Sequence, residues 1–202
     1  MPSWDQDSPR LRKNLAKVLA EIVREARQRK PPAVASAKHW QALFMKGLTV
    51  PDARFVGAFR GEPGLENVRV RVGAQYGVHP ANVASGLAKF ETKLRAIVAE
   101  LDAFLPPGRD PDADELEAIL ELCAWVHAEW VRIHPLANGN GRTARLRANS
   151  LAMRYGLPPF VRLRPRPNSV YAESGASAMR GDWKPTALAF RRMLDSILDE
   201  MT

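Results

Sequence analysis

The sequence holds a single cysteine, Cys123, among 202 residues. A disulfide framework is therefore excluded, and a reducing compartment, the cytoplasm, is the expected location. Apolar runs are short, none approaching the roughly twenty residues a spanning helix needs, so no membrane association is expected. The opening residues MPSWDQDSPRLRKNLAK carry charge where a secretion signal needs an apolar stretch, although release as an effector by another route stays open. Internal repeats and low-complexity tracts are missing. Strand patterning is nearly missing too, because only Val68-Arg69-Val70-Arg71-Val72 alternates strictly. What is there is ordinary globular material: 46% of the residues are hydrophobic, enough to bury a real core. An all-α fold with one short β-hairpin is expected.

Charge is unevenly spread. The formal net charge is +8, yet the residues from Val98 to Trp130 hold nine acids against one base, and those from Val131 to Arg192 hold twelve bases against two acids. Two solvated faces of opposite sign account for many of these side chains. They do not account for the place where the bases begin, which is a glycine-rich turn.

Helical periodicity organises the rest. Arg10 to Lys30 puts Leu11, Leu15, Val18, Leu19 and Ile22 on one side and stops before Pro31-Pro32; a second helix is predicted over about Ser36 to Lys46. Residues 1–48 are thus read as N-terminal helices packed on the core, and 49–202 as the main domain. Gly73-Ala74 can turn the alternating strand back through Gln75 and Tyr76. A helix from Pro80 to Phe104 follows. The next opens on Asp112 and Glu115, spaced as a capping box, and must end near His134 because Pro135 follows. Further helices are predicted over about Gly141–Tyr155, Ser169–Arg180 and Pro185–Met201. Cys123 and His127 share an apolar helix face with no other ligand at suitable spacing, which favours core packing over metal binding.

The string His134-Pro-Leu-Ala-Asn-Gly-Asn-Gly-Arg-Thr-Ala-Arg145 carries the chemistry. Gly139, Asn140 and Gly141 tolerate left-handed dihedrals, so their amides can form an anion-binding nest. They open a helix, whose N-terminal amides also favour a negative ligand. Arg142 and Arg145 share a face of that first turn, where cations oppose the helix dipole unless an anion sits among them. A polyphosphate removes the conflict. His134, at the end of the preceding helix, can take a proton from a hydroxyl attacking a bound phosphate.

The string resembles the Fic signature His-Pro-Phe-x-(Asp/Glu)-Gly-Asn-Gly-Arg-x-x-Arg, departing from it at Leu136 and Asn138. Its surroundings are similar as well. His127 to His134 looks like the entering helix, Gly57-Ala-Phe-Arg60 with Val68–Val72 like the target-binding flap, and Tyr171 with Gly181-Asp182 and Pro185 like the helix pair covering the base. The likeness runs from about Phe55 to Leu194. It implies a Fic-type helical bundle with one short hairpin flap, and a protein adenylyltransferase moving AMP from ATP to a hydroxyl side chain of a target protein. His134 is then the general base. Gly139, Asn140 and Gly141 hold phosphates, Asn140 adding its side-chain amide, Arg142 and Arg145 bind the outer phosphates, and Tyr171 belongs to the nucleotide site. Val68, Arg69, Val70, Arg71 and Val72 offer main-chain pairing to an extended target segment.

Asn138 stands where the family carries a metal-binding acid. A neutral amide implies weak binding of Mg²⁺ or Mn²⁺, another donor, or lost catalysis. Ser169-Val-Tyr-Ala-Glu173-Ser approximates the family's inhibitory helix motif but coincides with the base-covering helix. Restraint is therefore expected from a separate antitoxin-like protein, or not at all. Nucleic-acid binding through Arg162, Arg164 and Arg166 is disfavoured, because no binding motif accompanies the charge.

Overall fold

In the computed structural model, which describes residues 8–164 and 169–201, helix α1 (Pro9–Arg27) begins where its cap dictates. The Ser8 hydroxyl accepts from the Leu11 amide at 3.1 Å, and Pro9 supplies a first-turn residue that needs no donor. Leu11, Leu15, Val18, Ile22 and Ala26 then form one buried stripe. The helix stops three residues short of the predicted Lys30, because Arg29 turns into the left-handed region at φ 47°. Helix α2 (Ser36–Met45) lies across α1, and with the helix over Asn140–Arg154 the two enclose a small core of Leu11, Leu15, Val18, Ile22, Trp40, Phe44, Met45 and Leu146.

The larger core surrounds α4 (Ala113–Ile133), which touches α3 (Pro80–Phe104), α5 (Asn140–Arg154), α6 (Ser169–Met179) and α7 (Lys184–Met201). The capping box at its start is complete: the Glu115 amide donates to Asp112 Oδ1 and the Asp112 amide to Glu115 Oε2, both at 2.9 Å. From Ile119 onward most of α4 is buried, with Cys123, His127 and Trp130 inside. Cys123 and His127 thus pack in the core, and no cluster of three potential metal ligands occurs among the described residues. Trp125 stacks on Phe90 at 5.4 Å, while Trp130 meets Phe90 and Phe59 edge-on.

The hairpin is shorter than the alternation predicts. Only Arg71–Val72 (β1) and Gln75–Tyr76 (β2) form the antiparallel ladder, pairing Arg71 with Tyr76 and Val72 with Gln75. Val68 and Arg69 fall outside it, because the Val68 amide turns back to the Leu65 carbonyl and the Val68 carbonyl accepts from Arg60. Val70 contributes its carbonyl to the Gly77 amide at 3.1 Å.

Part of the basic segment is structural. Arg147 is 3% exposed, sits 4.1 Å above the Trp130 ring, and donates to the Ala33 and Val34 carbonyls. Burial lowers its pKa to about 9. Arg154 pairs with Asp102 of α3 and donates to the Lys30 carbonyl, tying the end of α1 to α5. Arg166 lies outside the described residues. No helix among the described residues is long and apolar enough to cross a membrane.

Candidate active site

The last turn of α4 delivers His134 as its C-cap, with φ and ψ both 54°. Left-handed backbone is unusual for a residue with a side chain, and two contacts maintain it here. His134 Nδ1 lies 2.9 Å from the Val131 carbonyl, and the His134 carbonyl accepts from Arg60 Nε at 2.7 Å. A carbonyl can only accept, so Nδ1 carries the proton and Nε2 keeps its lone pair. Burial drives the His134 pKa down to about 4; the Val131 carbonyl opposes the shift and the Arg60 charge adds to it. The imidazole is therefore neutral at physiological pH.

Arg60 is the organising residue behind this histidine. It is 1% exposed, and its guanidinium fans out to four carbonyls: His134, Ile133 at 3.0 Å, Val78 at 2.9 Å and Val68 at 3.2 Å. Two of these close the C-terminus of α4, where a cation suits the helix dipole, and two hold the legs of the hairpin. Burial lowers the Arg60 pKa to about 10, leaving it charged. Gly77, in the second leg, passes so close that a Cβ there would lie 2.5 Å from His134 Cβ. The hairpin and His134 are thus packed without an intervening side chain.

The loop after His134 is fixed from both sides. Leu136 is fully buried and bridges Phe59 in antiparallel pairing. The Asn140 side chain faces Leu136, its Oδ1 accepting from the Leu136 amide at 2.8 Å and its Nδ2 donating to the Leu136 carbonyl at 2.7 Å. That amide shapes the loop and is occupied in doing so. Gly139 adopts φ 92°, and a Cβ there would lie 2.8 Å from Phe44 Cζ, so glycine is required twice over. Gln41, also from α2, accepts from the Gly57 amide and donates to the Phe55 and Asn138 carbonyls.

Helix α5 starts at Asn140, one residue earlier than the sequence suggests. Arg142 reaches back to Asn138, Nη2 to Oδ1 at 2.7 Å, and lies 4.6 Å from the centre of the Phe44 ring. Arg145 is 4% exposed and donates to the Tyr171 hydroxyl at 3.2 Å and the Leu163 carbonyl at 3.3 Å, leaving its Nε buried without a partner. The Tyr171 hydroxyl also meets His127 Nε2 at 2.6 Å. Burial, reinforced by the Arg145 charge, pushes the His127 pKa down to about 3. Tyr171 is itself 4% exposed, so it fixes Arg145 and His127 more than it offers a stacking face.

These groups converge on a cleft of about 670 Å³, lined by Arg71 to Gln75 of the hairpin, His127 and His134 of α4, Gly139, Gly141, Arg142 and Arg145, and Tyr171 on α6. Of the five residues expected in the flap, Arg71 and Val72 border the cleft, and Val68, Arg69 and Val70 are not among its lining residues. A neutral base, a glycine turn, a helix N-terminus and guanidinium groups now face one space. Residues 34–152 match the Fic/DOC family model. The chain belongs to the Fic/DOC family.

Relatives of this Fic/DOC chain include the protein adenylyltransferase Fic of Nematostella vectensis, 38% identical over 87 residues, or 41% of this chain and 20% of that protein. The protein adenylyltransferase Fic of Culex quinquefasciatus is 31% identical over 121 residues, 60% of this chain and 21% of that protein. The chain therefore spans about a fifth of the curated relatives it matches. Two solved structures share the fold. One is a Fic-domain signaling protein from Bacteroides thetaiotaomicron, with TM-score 0.61 and 19% identity, covering 92% of this chain and 69% of that one. The other is the BepC effector of Bartonella tribocorum with bound AMPPNP, with TM-score 0.56 and 18% identity, covering 93% of this chain and 88% of that one. The departure from the Fic signature at Leu136 keeps a large apolar side chain, fully buried in the main core, at that position. Asn138 is a change of chemistry. Gln41 and Gly77 drew no notice in the sequence, and Arg60 appeared only as part of the target-binding flap. Their partners lie too far along the chain for any local pattern to mark them.

Proposed function

We propose that the chain transfers AMP from ATP to a hydroxyl side chain of another protein. The observation that carries this reading is His134: a neutral imidazole whose Nδ1 is committed to a carbonyl, placed on the same cleft as the glycine turn and Arg145. His134 Nε2 accepts the proton of the target Ser, Thr or Tyr hydroxyl as that oxygen attacks the α-phosphorus. The new P–O bond forms, the bond to the leaving pyrophosphate breaks, and AMP stays on the target. A base with a pKa near 4 is weak, but a triphosphate brought beside it stabilises the imidazolium and raises that value. Gly139 and Gly141 present main-chain amides to the phosphates, and Arg145 contributes charge and a spare buried donor. The exposed hairpin, paired on one side only, receives an extended target segment by strand addition. ATP as donor agrees with the names of the relatives and with the AMPPNP bound by BepC. Restraint is assigned to a separate antitoxin-like protein because the approximate inhibitory motif falls on α6, which lines the cleft, and a reducing cytoplasm suits the buried thiol of Cys123.

A divalent metal does not fit the residues present. The oxygen at its expected position, Asn138 Oδ1, is neutral and already accepts from Arg142, and the described residues lining the cleft include no carboxylate. This is the observation that favours a second reading, a nucleotide-binding protein in which transfer is lost. Incubating the protein with α-labelled ATP and a cell lysate separates the two. His134→Ala should abolish labelling of target proteins while leaving nucleotide affinity within about twofold, because a base acts in the transition state. ATP binding with no labelled protein from the unmutated chain supports the second reading. Labelling at an unchanged rate by His134→Ala removes His134 from the chemistry.

A further inference from the structure

We infer that the site selects the metal-free polyphosphate anion over its magnesium complex, with the Arg142 guanidinium standing where the family's acid would hold a cation. This rests on the nucleotide-binding reading above and specifies which ionic form is bound. Five arginines, Arg71, Arg142, Arg145, Arg164 and Arg180, are among the described residues that line the cleft, and no Asp or Glu is. Magnesium takes hard, preferably anionic oxygens in octahedral geometry and gives up its water reluctantly. Here the only side-chain oxygen of the loop in reach is an amide. Its Oδ1 already accepts from Arg142 Nη2 at 2.7 Å, so a dication has to displace that hydrogen bond to reach it.

Asn138 cannot readily turn away to present itself differently. Its carbonyl accepts from Gln41 at 3.4 Å, and the next residue is the left-handed Gly139 packed on Phe44. On the other side Arg145 keeps a buried Nε with no hydrogen-bond acceptor, which an anion would supply. Metal-free triphosphate brings more negative charge to this cleft than its magnesium complex does. Magnesium cancels part of the charge that the arginines recognise, and the described residues lining the cleft include no carboxylate to compensate the ion.

Calorimetric titration of the full chain with ATP, in EDTA and again in saturating MgCl₂, tests the inference. ATP should bind at least about threefold more tightly in EDTA, and AMP, which has little call on magnesium, should bind alike in both. Inorganic tripolyphosphate should follow ATP. Asn138→Asp, nearly isosteric with the original, should move the preference toward the magnesium complex. Equal or tighter ATP binding in MgCl₂ overturns the inference while leaving nucleotide recognition intact. An AMP affinity that changes as much as that of ATP overturns it too, because magnesium would then be acting on the protein. A folded Asn138→Asp protein with an unchanged preference takes the discrimination away from Asn138. Absence of ATP binding in both buffers removes the nucleotide-site reading and the inference together. The two unmutated-protein titrations decide the matter even if the variant does not fold.

Discussion

Replacing Arg60 with methionine removes the guanidinium that serves the carbonyls of Val68, Val78, Ile133 and His134 while keeping much of its apolar bulk. Each carbonyl left buried without a donor costs about 1–3 kcal/mol, but removing the desolvated cation returns part of that sum. A net loss of about 3 kcal/mol follows, or a fall in Tm of roughly 6–12 °C for a domain of this size. The effect on function should be more selective. The His134 carbonyl loses its anchor and the left-handed cap relaxes, moving Nε2 by a fraction of an ångström to an ångström. Misplacement on that scale costs on the order of a hundredfold in turnover. Nucleotide affinity should stay within about twofold, because Gly139, Gly141 and Arg145 hang on α5 and Phe44 rather than on Arg60. Thermal melts, ATP titration and initial rates of target labelling measure the three quantities separately. Turnover that survives the loss of Tm, or an ATP affinity that falls in step with turnover, refutes the assignment of Arg60 as the residue that positions the base. Arg60→Lys, with one compact ammonium for four dispersed acceptors, should recover part of the stability and little of the rate.

Three further outcomes are expected. Arg145→Ala should weaken ATP binding by about tenfold or more and AMP binding much less, since the proposed site assigns this side chain to the outer phosphates; equal losses would make Arg145 structural. Gly139→Ala combines a φ of 92° with a 2.8 Å contact to Phe44, so a loss of about 2–4 kcal/mol in chemical denaturation is expected together with loss of ATP binding, and a melt like the parent's would contradict the geometry. Folded-state pKa values of about 3 for His127 and about 4 for His134 lie below the ordinary 6.5, so below that pH the unfolded chain binds more protons and stability falls as the solution is acidified toward pH 4. Melts from pH 7 to 4 should show this decline, and His127→Gln should flatten part of it.

Much of the fold was legible because its signals are local. The stripe of α1, the capping box at Asp112 and the proline after His134 each declare an element boundary within a few residues. The hairpin misled by its regularity: Val68 to Val72 alternates, but the carbonyl of Val68 is claimed by Arg60 and its amide by Leu65, so the ladder begins only at Arg71. The site divides in the same way. His134, Gly139 and the two arginines could be read from one string, whereas the Asn140 side chain, expected among the phosphates, bonds Leu136 on both sides. Arg60 and Gln41 act on carbonyls and amides, which every residue possesses, so nothing in the partner's identity gives the contact away.

Gln41 meets the Asn138 carbonyl across a separation of 97 positions, and Phe44 closes on Gly139 beside it. Contacts of such range are assembled late, since a long loop of chain must close before they repay its lost freedom. During synthesis α2 leaves the ribosome well before the glycine turn exists, and its Phe44 and Gln41 wait without the surface they are shaped for. The glycine turn is consequently not shaped by its own helix alone. It acquires its curvature only when the beginning of the chain has found the middle.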